Sequence, residues 1–222
     1  MRLGKLVAVE TLALAFVAGF ACAQNAEIAV MVTDQQGRPV ADAVVVAMPV
    51  DGNLRLPRPR DGSVDQVDKE FLPRVSIVLV GASLSFPNHD DVRHQVYSFS
   101  PAKRFELPLY AGVPAQPIVF DKPGVVVLGC NIHDWMVGYI YVSESPFFAK
   151  TGQDGKALLT ELAPRAYVVR VWHPQLETSE SATRRTIDVS LDRRIEAAWT
   201  VRLKQEVRVR RAPTAERGGA RY

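Results

Sequence analysis

The sequence predicts an all-β protein built of two β-sandwiches. Three observations carry this. Past the first two dozen residues, no window shows apolar residues recurring at helical spacing over a convincing length. Short runs rich in β-branched and aromatic residues recur instead, each bounded by Gly, Pro, Asn or Asp. The chain has 222 residues, 47% of them hydrophobic, which allows one large core or two small ones.

The N-terminus is read apart from the fold. Met1-Arg2-Leu3-Gly4-Lys5 is basic, and the run from Leu6 to Phe20 is apolar but for Glu10 and Thr11. Ala21-Cys22-Ala23 then offers small residues for cleavage before Gln24. Residues 1–23 are therefore expected to be an export signal and the mature chain periplasmic. The apolar run is shorter than the roughly 20 residues a bilayer requires, so no transmembrane segment is expected. Lipidation at Cys22 is the alternative, weakened by bulky Phe20 in Gly19-Phe20-Ala21. Removal of the signal leaves Cys130 as the only thiol, so no intramolecular disulfide can form. Such a thiol survives in an oxidising compartment when it is deeply buried or held by a metal.

In chain order, Glu27 to Thr33, the turn from Asp34 to Pro39 and the run Val40 to Met48 predict a hairpin. The string from Val32 to Val45 resembles the opening strands of the carboxypeptidase-regulatory-like, transthyretin-like β-sandwich family. That family's later half is an Asp-Gly turn, a Leu-rich strand, a turn and a strand ending in an aromatic. It appears here only near the far end, as Asp154-Gly155, Ala157-Leu158-Leu159, and Leu162 through Tyr167 to Trp172, with Ala166 where the family commonly has Gly. Alternation at Ile187, Val189 and Leu191, then at Trp199, Val201 and Leu203, adds closing strands. The resemblance implies one sandwich, residues 24–50 plus 144–205, split by an inserted domain. A long excursion costs little closure entropy if its ends lie close together.

The excursion begins with a linker, residues 51–63, marked by Pro57, Pro59, Gly52, Gly62 and three arginines. Short runs follow at Val64 to Phe71, Pro73 to Val80, Ala82 to Phe86, His94 to Ser100, Arg104 to Tyr110, Pro117 to Phe120, Val125 to Cys130 and Val137 to Val142. They predict a second all-β sandwich over residues 64–143. Residues 206–222 read as a basic, solvated tail.

Chemistry concentrates in Gly129-Cys130-Asn131-Ile132-His133-Asp134-Trp135-Met136, read as a tight loop between two strands. A thiolate, an imidazole and a thioether at spacing Cys-x2-His-x2-Met suit copper better than any hard cation. A second imidazole completes a trigonal set, and His94, which opens a strand, is preferred over His89 in the turn Asn88-His89-Asp90. Met136 reads as an axial ligand or as core filler. Backbone amides near Asn88 or in Asn131 to Asp134 are candidate donors to the Cys130 sulfur. His173 reads as structural.

A mid-chain His and a Cys-x2-His-x2-Met loop before the last strand resemble the cupredoxin family, with the loop spacing of its amicyanin branch. The strings Phe86 to Ser100 and Lys122 to Val142 also look like cupredoxin-like proteins of the methylamine-utilisation type, in which the same insertion recurs. The resemblance implies a Greek-key domain with one type 1 copper on His94, Cys130, His133 and Met136, and a role in electron transfer. It further implies that His133 is the exposed ligand, where a redox partner protein docks. Trp135 beside it is a docking residue or a core aromatic.

Other functions fit less well. Further copper centres of an oxidase or nitrite reductase typically require His-x-His pairs, and this chain has four His and no such pair. Copper storage or delivery calls for Met-rich or His-rich tracts, whereas Met31, Met48 and Met136 are the only methionines past the signal. A non-redox binding module leaves Cys130 unexplained. The formal net charge of +3 and a basic cluster confined to the tail give no reason to expect a nucleic-acid partner.

Overall fold

The computed structural model describes residues 26–114, 116–191 and 194–205. The expected export signal with Cys22 and the basic tail lie outside the described residues. Among the described residues every regular element is a strand except one 3-10 turn, Glu180–Thr183, as an all-β chain requires.

In the outer pair of sheets, β1 (Ala26–Asp34) lies between β14 (Lys156–Leu162), antiparallel, and β17 (Arg194–Val201), parallel. The facing sheet runs β13 (Phe148–Lys150), β2 (Val44–Pro49), β15 (Arg165–Trp172), β16 (Arg185–Val189). Ile28, Val30 and Val32 alternate inward to meet Val45, Ala47 and Tyr167 in one core.

The predicted β1–β2 hairpin does not form. The chain makes one bridge, Thr33 to Pro39, and then crosses to the opposite sheet. Pro39 has no N–H to extend a ladder, and Asp42, at φ 58°, turns the chain away. The crossing is pinned from far along the sequence: Thr151 Oγ accepts the Ala43 N–H at 2.9 Å and donates to Val40 O at 2.7 Å. Two apolar runs that each need a facing partner thus cover one another across the core.

The inner pair of sheets is made from the intervening chain. Five strands run β6 (Val75–Leu79), β12 (His133–Ser143), β11 (Gly124–Cys130), β8 (His94–Ser100), β9 (Lys103–Tyr110). Opposite them lie β10 (Ile118–Phe120), β7 (Ala82–Ser85) and β3 (Gly62–Ser63), with a ribbon of β4 (Asp65–Val67) and β5 (Glu70–Leu72). Gly62 and Ser63, read as linker, are therefore strand. The run Val64 to Phe71, read as one strand, is broken by Asp68 and Lys69 at φ 54° and 61°. Strand β5 crosses β12 at Gly138, where a Cβ would fall 2.9 Å from the Cβ of Phe71.

The excursion leaves and returns side by side. Phe148 of β13 pairs with Val46 of β2, and Ser145 Oγ donates to Ala47 O at 2.6 Å. Val44 to Ala47 are buried without alternation, the mark of a strand covered on both faces. Val45 and Ala47 enter the outer core, while Val44 and Val46 pack with Val75, Tyr141 and Trp172 between the two sandwiches. Arg170 edges this interface, 2.6 Å from Glu180, 3.0 Å from Glu144 and 3.3 Å from the Tyr141 hydroxyl, which itself donates to Glu180.

Burial, then Glu180, push the Tyr141 phenol above its ordinary value of 10.0. A raised value favours the neutral phenol in the fold, so its contribution is complete below pH 10.0 and is lost as pH climbs through the raised value. Tyr141→Phe is expected to lower stability by about 1.5–3 kcal/mol at neutral pH, because it removes hydrogen bonds to charged groups. It should also flatten the alkaline loss of stability, and urea unfolding at neutral and alkaline pH measures both.

Candidate metal centre

Strands β11 and β12 pair in register from Gly124 with Val142 to Gly129 with Val137, and then slip: Cys130 pairs with His133. Asp134, Trp135 and Met136 have no partner across the ladder. The turn is only Asn131-Ile132, and the irregularity sits inside β12, not in a longer loop. A bulge of this kind re-aims side chains at a sheet's rim. Beyond the outward pair Gly129–Val137, the next residues face inward, and Cys130 (4% exposed) and Met136 (1%) share one buried cluster. Gly129 lies under the Tyr97 ring, where a Cβ would come within 2.7 Å of Cζ.

His94 opens β8 and is wholly buried, 0% exposed. Its Nδ1 is 3.7 Å from Cys130 Sγ, and His133 Nδ1 is 3.9 Å from the same sulfur. All three ligand atoms lie within 4.8 Å of one another, a group that can hold one metal ion. Metal–sulfur and metal–nitrogen bonds of about 2.3 and 2.05 Å, opened to about 115°, place sulfur and nitrogen about 3.7 Å apart. The observed separations fit a single ion bound by all three. Thiolate with two imidazoles is a donor set for copper or zinc, and a thioether close by favours copper.

The surroundings hold the His133 ring in its ligating form. Burial, then the nearby His94 and Lys69, lower the His133 pKa below its ordinary 6.5 against a smaller opposing pull from Asp90, so the ring is neutral at neutral pH. Burial pushes the Tyr110 phenol up to about 12; the Gln66 hydrogen bond works against this, and the charge of Cys130 adds to it. Burial raises the Asp90 carboxyl, but hydrogen bonds from Lys69 N–H, His94 and Asp68 N–H outweigh it and hold the group below the ordinary carboxylate value.

Of the backbone amides near Asn88, that of Asn88 itself is engaged elsewhere. Its backbone N–H donates to Gly112 O at 2.8 Å, because the loop pairs there, and is not directed to the sulfur. Its side chain ties the loop instead, donating to Val92 O and Tyr110 O, both at 2.9 Å, and accepting the Asp90 N–H at 3.0 Å. His89 is outside the cluster, 55% exposed at its side chain, with Nε2 3.8 Å from Asp65. His173 accepts the Gln175 N–H in the outer sandwich at 3.2 Å. The Trp135 ring is 5.1 Å from that of His133, and its indole N–H is buried with no acceptor among the described residues. Ile132, 47% exposed, stands next to His133.

Sequence reasoning passed over Asp90, Gln66 and Tyr110. Gln66 Nε2 donates to Phe86 O at 3.0 Å and to the Tyr110 hydroxyl at 2.5 Å, which closes the core below the site. The only signal for Asp90 was a carboxylate four residues before a candidate ligand, and in a loop that spacing carries no geometry.

No protein-family model matches the chain, and neither does any curated protein. Similar solved structures include a purple cupredoxin from Nitrosopumilus maritimus, 23% identical, TM-score 0.33, covering 37% of this chain and 99% of that one. A Cu-containing nitrite reductase from Thermus scotoductus SA-01 is 27% identical, TM-score 0.36, over 52% of this chain and 28% of its own. A mutant of amicyanin in its reduced Cu(I) form is 21% identical, TM-score 0.33, over 36% of this chain and 80% of its own.

Titration of the purified protein with copper is expected to show one tight equivalent, unchanged in His89→Ala. His94→Ala should weaken binding by more than about 100-fold, beyond what loss of an outer hydrogen-bond partner costs. Equal stoichiometry and affinity in both variants would exclude His94 as a ligand.

Proposed function

We propose that the chain is an exported, mononuclear type 1 copper protein that carries single electrons between periplasmic redox partners. The observation that carries this reading is the pair of sulfur–nitrogen separations, 3.7 and 3.9 Å, which join one thiolate to two imidazoles. Copper held there supplies a one-electron couple.

The chain's own residues do the rest. Cys130, His94 and His133 would hold the copper, and Met136, buried in the same cluster as Cys130, would add a weaker thioether donor. Because the donors come from the ends of three packed strands, the protein holds them in one arrangement through a change of valence. His133 is half-buried, so its outer edge is where electrons enter and leave, and a redox partner docks around it, over Ile132 and Trp135. Residues 62–143, with Gly62 and Ser63 as the first strand, form the copper domain, inserted into the outer sandwich of 24–50 plus 144–205. The chain is a carrier and not an enzyme, since four His without a His-x-His pair supply no second copper centre. Export by residues 1–23 places the protein in the periplasm. Among the described residues no helix is long and apolar enough to cross a membrane.

Copper-loaded protein is expected to show intense visible absorption and a thiolate-copper EPR signal, both lost in Cys130→Ser. A colourless protein holding Cu(I) that does not cycle would overturn the reading. Met136→Leu is expected to keep the colour and raise the reduction potential, because losing a donor disfavours Cu(II) more than Cu(I). Each tenfold preferential loss reads as about 59 mV by voltammetry, and an unchanged potential would reduce Met136 to core filler.

A further inference from the structure

We infer that Asp90 is the positioning residue for His94. It fixes the ring as the Nε2–H tautomer, so that the Nδ1 lone pair stays aimed at the Cys130 sulfur, and the turn Asp68-Lys69 is built to hold Asp90 in that place. This rests on the copper reading only for its effect on affinity, and not for its geometry.

Asp90 Oδ2 is 2.7 Å from His94 Nε2. An ionised carboxylate only accepts, so this contact needs the proton on Nε2, and a neutral ring then carries a bare lone pair on Nδ1. Nδ1 is the nitrogen 3.7 Å from the thiol. The carboxylate is itself restrained on both oxygens: Asp68 N–H donates to Oδ1 at 2.7 Å and Lys69 N–H to Oδ2 at 2.9 Å. Its own N–H is held by Asn88 Oδ1 at 3.0 Å.

Asp68 and Lys69 are successive non-glycine residues in the left-handed region, at φ 54° and 61°. Such a conformation persists when its surroundings over-determine it. Here it directs two adjacent N–H groups at one carboxylate. The ribbon that bears the turn is seated against β12 through Phe71 and Gly138. The strand that carries His133 and Met136 therefore also sets the place of the group that orients His94. A carboxylate on the far nitrogen makes the near one a stronger donor, and such partners are worth 10–100-fold in metal affinity.

The test begins with copper-free protein, in which long-range 15N–1H NMR correlations report the His94 tautomer without any metal. Wild type is expected to show Nε2–H alone, and Asp90→Ala a mixture with Nδ1–H. Chelator competition should then show Cu(II) bound about 10–100-fold more weakly by Asp90→Ala. Asp90→Asn, which keeps an oxygen for His94 at the expense of the Asp68 bond, should retain the tautomer and most of the affinity. An Ala variant, folded by its amide spectrum, that keeps Nε2–H throughout would overturn the inference. So would an Asn variant as impaired as the Ala variant. A wild type that shows the single tautomer but no thiolate-copper spectrum would remove the copper reading and leave the role of Asp90 in the apo site intact.

Discussion

The metal centre depends on one slip in an antiparallel pair. With the register of Gly129 and Val137 continued, Cys130 would oppose Met136, and His133 would stand three residues beyond the end of β11. The slip folds His133 back onto Cys130 and leaves Met136 buried in the same cluster as the thiol. Two local features accommodate it. Gly129 lets the Tyr97 ring lie against the backbone, and the unpaired residues fall at the rim, where Asp134 is exposed and backbone groups can reach water.

The same strand joins the site to the rest of the molecule. At its start β12 carries His133 and Met136; further along, Tyr139 and Tyr141 pack against Trp172 of the outer sandwich at ring separations of 6.1 and 5.6 Å. Strand β2, covered on both faces, is the floor on which this packing rests. A side chain at the slip is thus held by a strand anchored on the second sandwich. In the proposed electron-transfer role such rigidity matters, since donors that stay in place keep the cost of changing valence small.

What was legible in the sequence was local. Cys130, His133 and Met136 sit within seven residues, and a strand-opening His94 could be told from a turn His89 by the alternation that follows it. Short β-branched runs gave the all-β class and nearly every strand of both sandwiches. What was not legible depends on distant chain. Thr151 pins the crossing that replaces the expected β1–β2 hairpin, and nothing in Val40 to Met48 announces it. The break at Asp68-Lys69 was hidden because the left-handed positions carry neither Gly nor Asn, and Asp90 gains its meaning only once that turn is folded over it.

The central claim is that one thiolate and two imidazoles hold a single copper in an arrangement the protein, and not the metal, determines. X-ray absorption at the copper edge tests this most directly when the loaded protein is measured oxidised and then reduced. The account predicts one short sulfur and two nitrogen neighbours in both states, with little change in either shell. A spectrum without the short sulfur, or a loss of ligands on reduction, would contradict it.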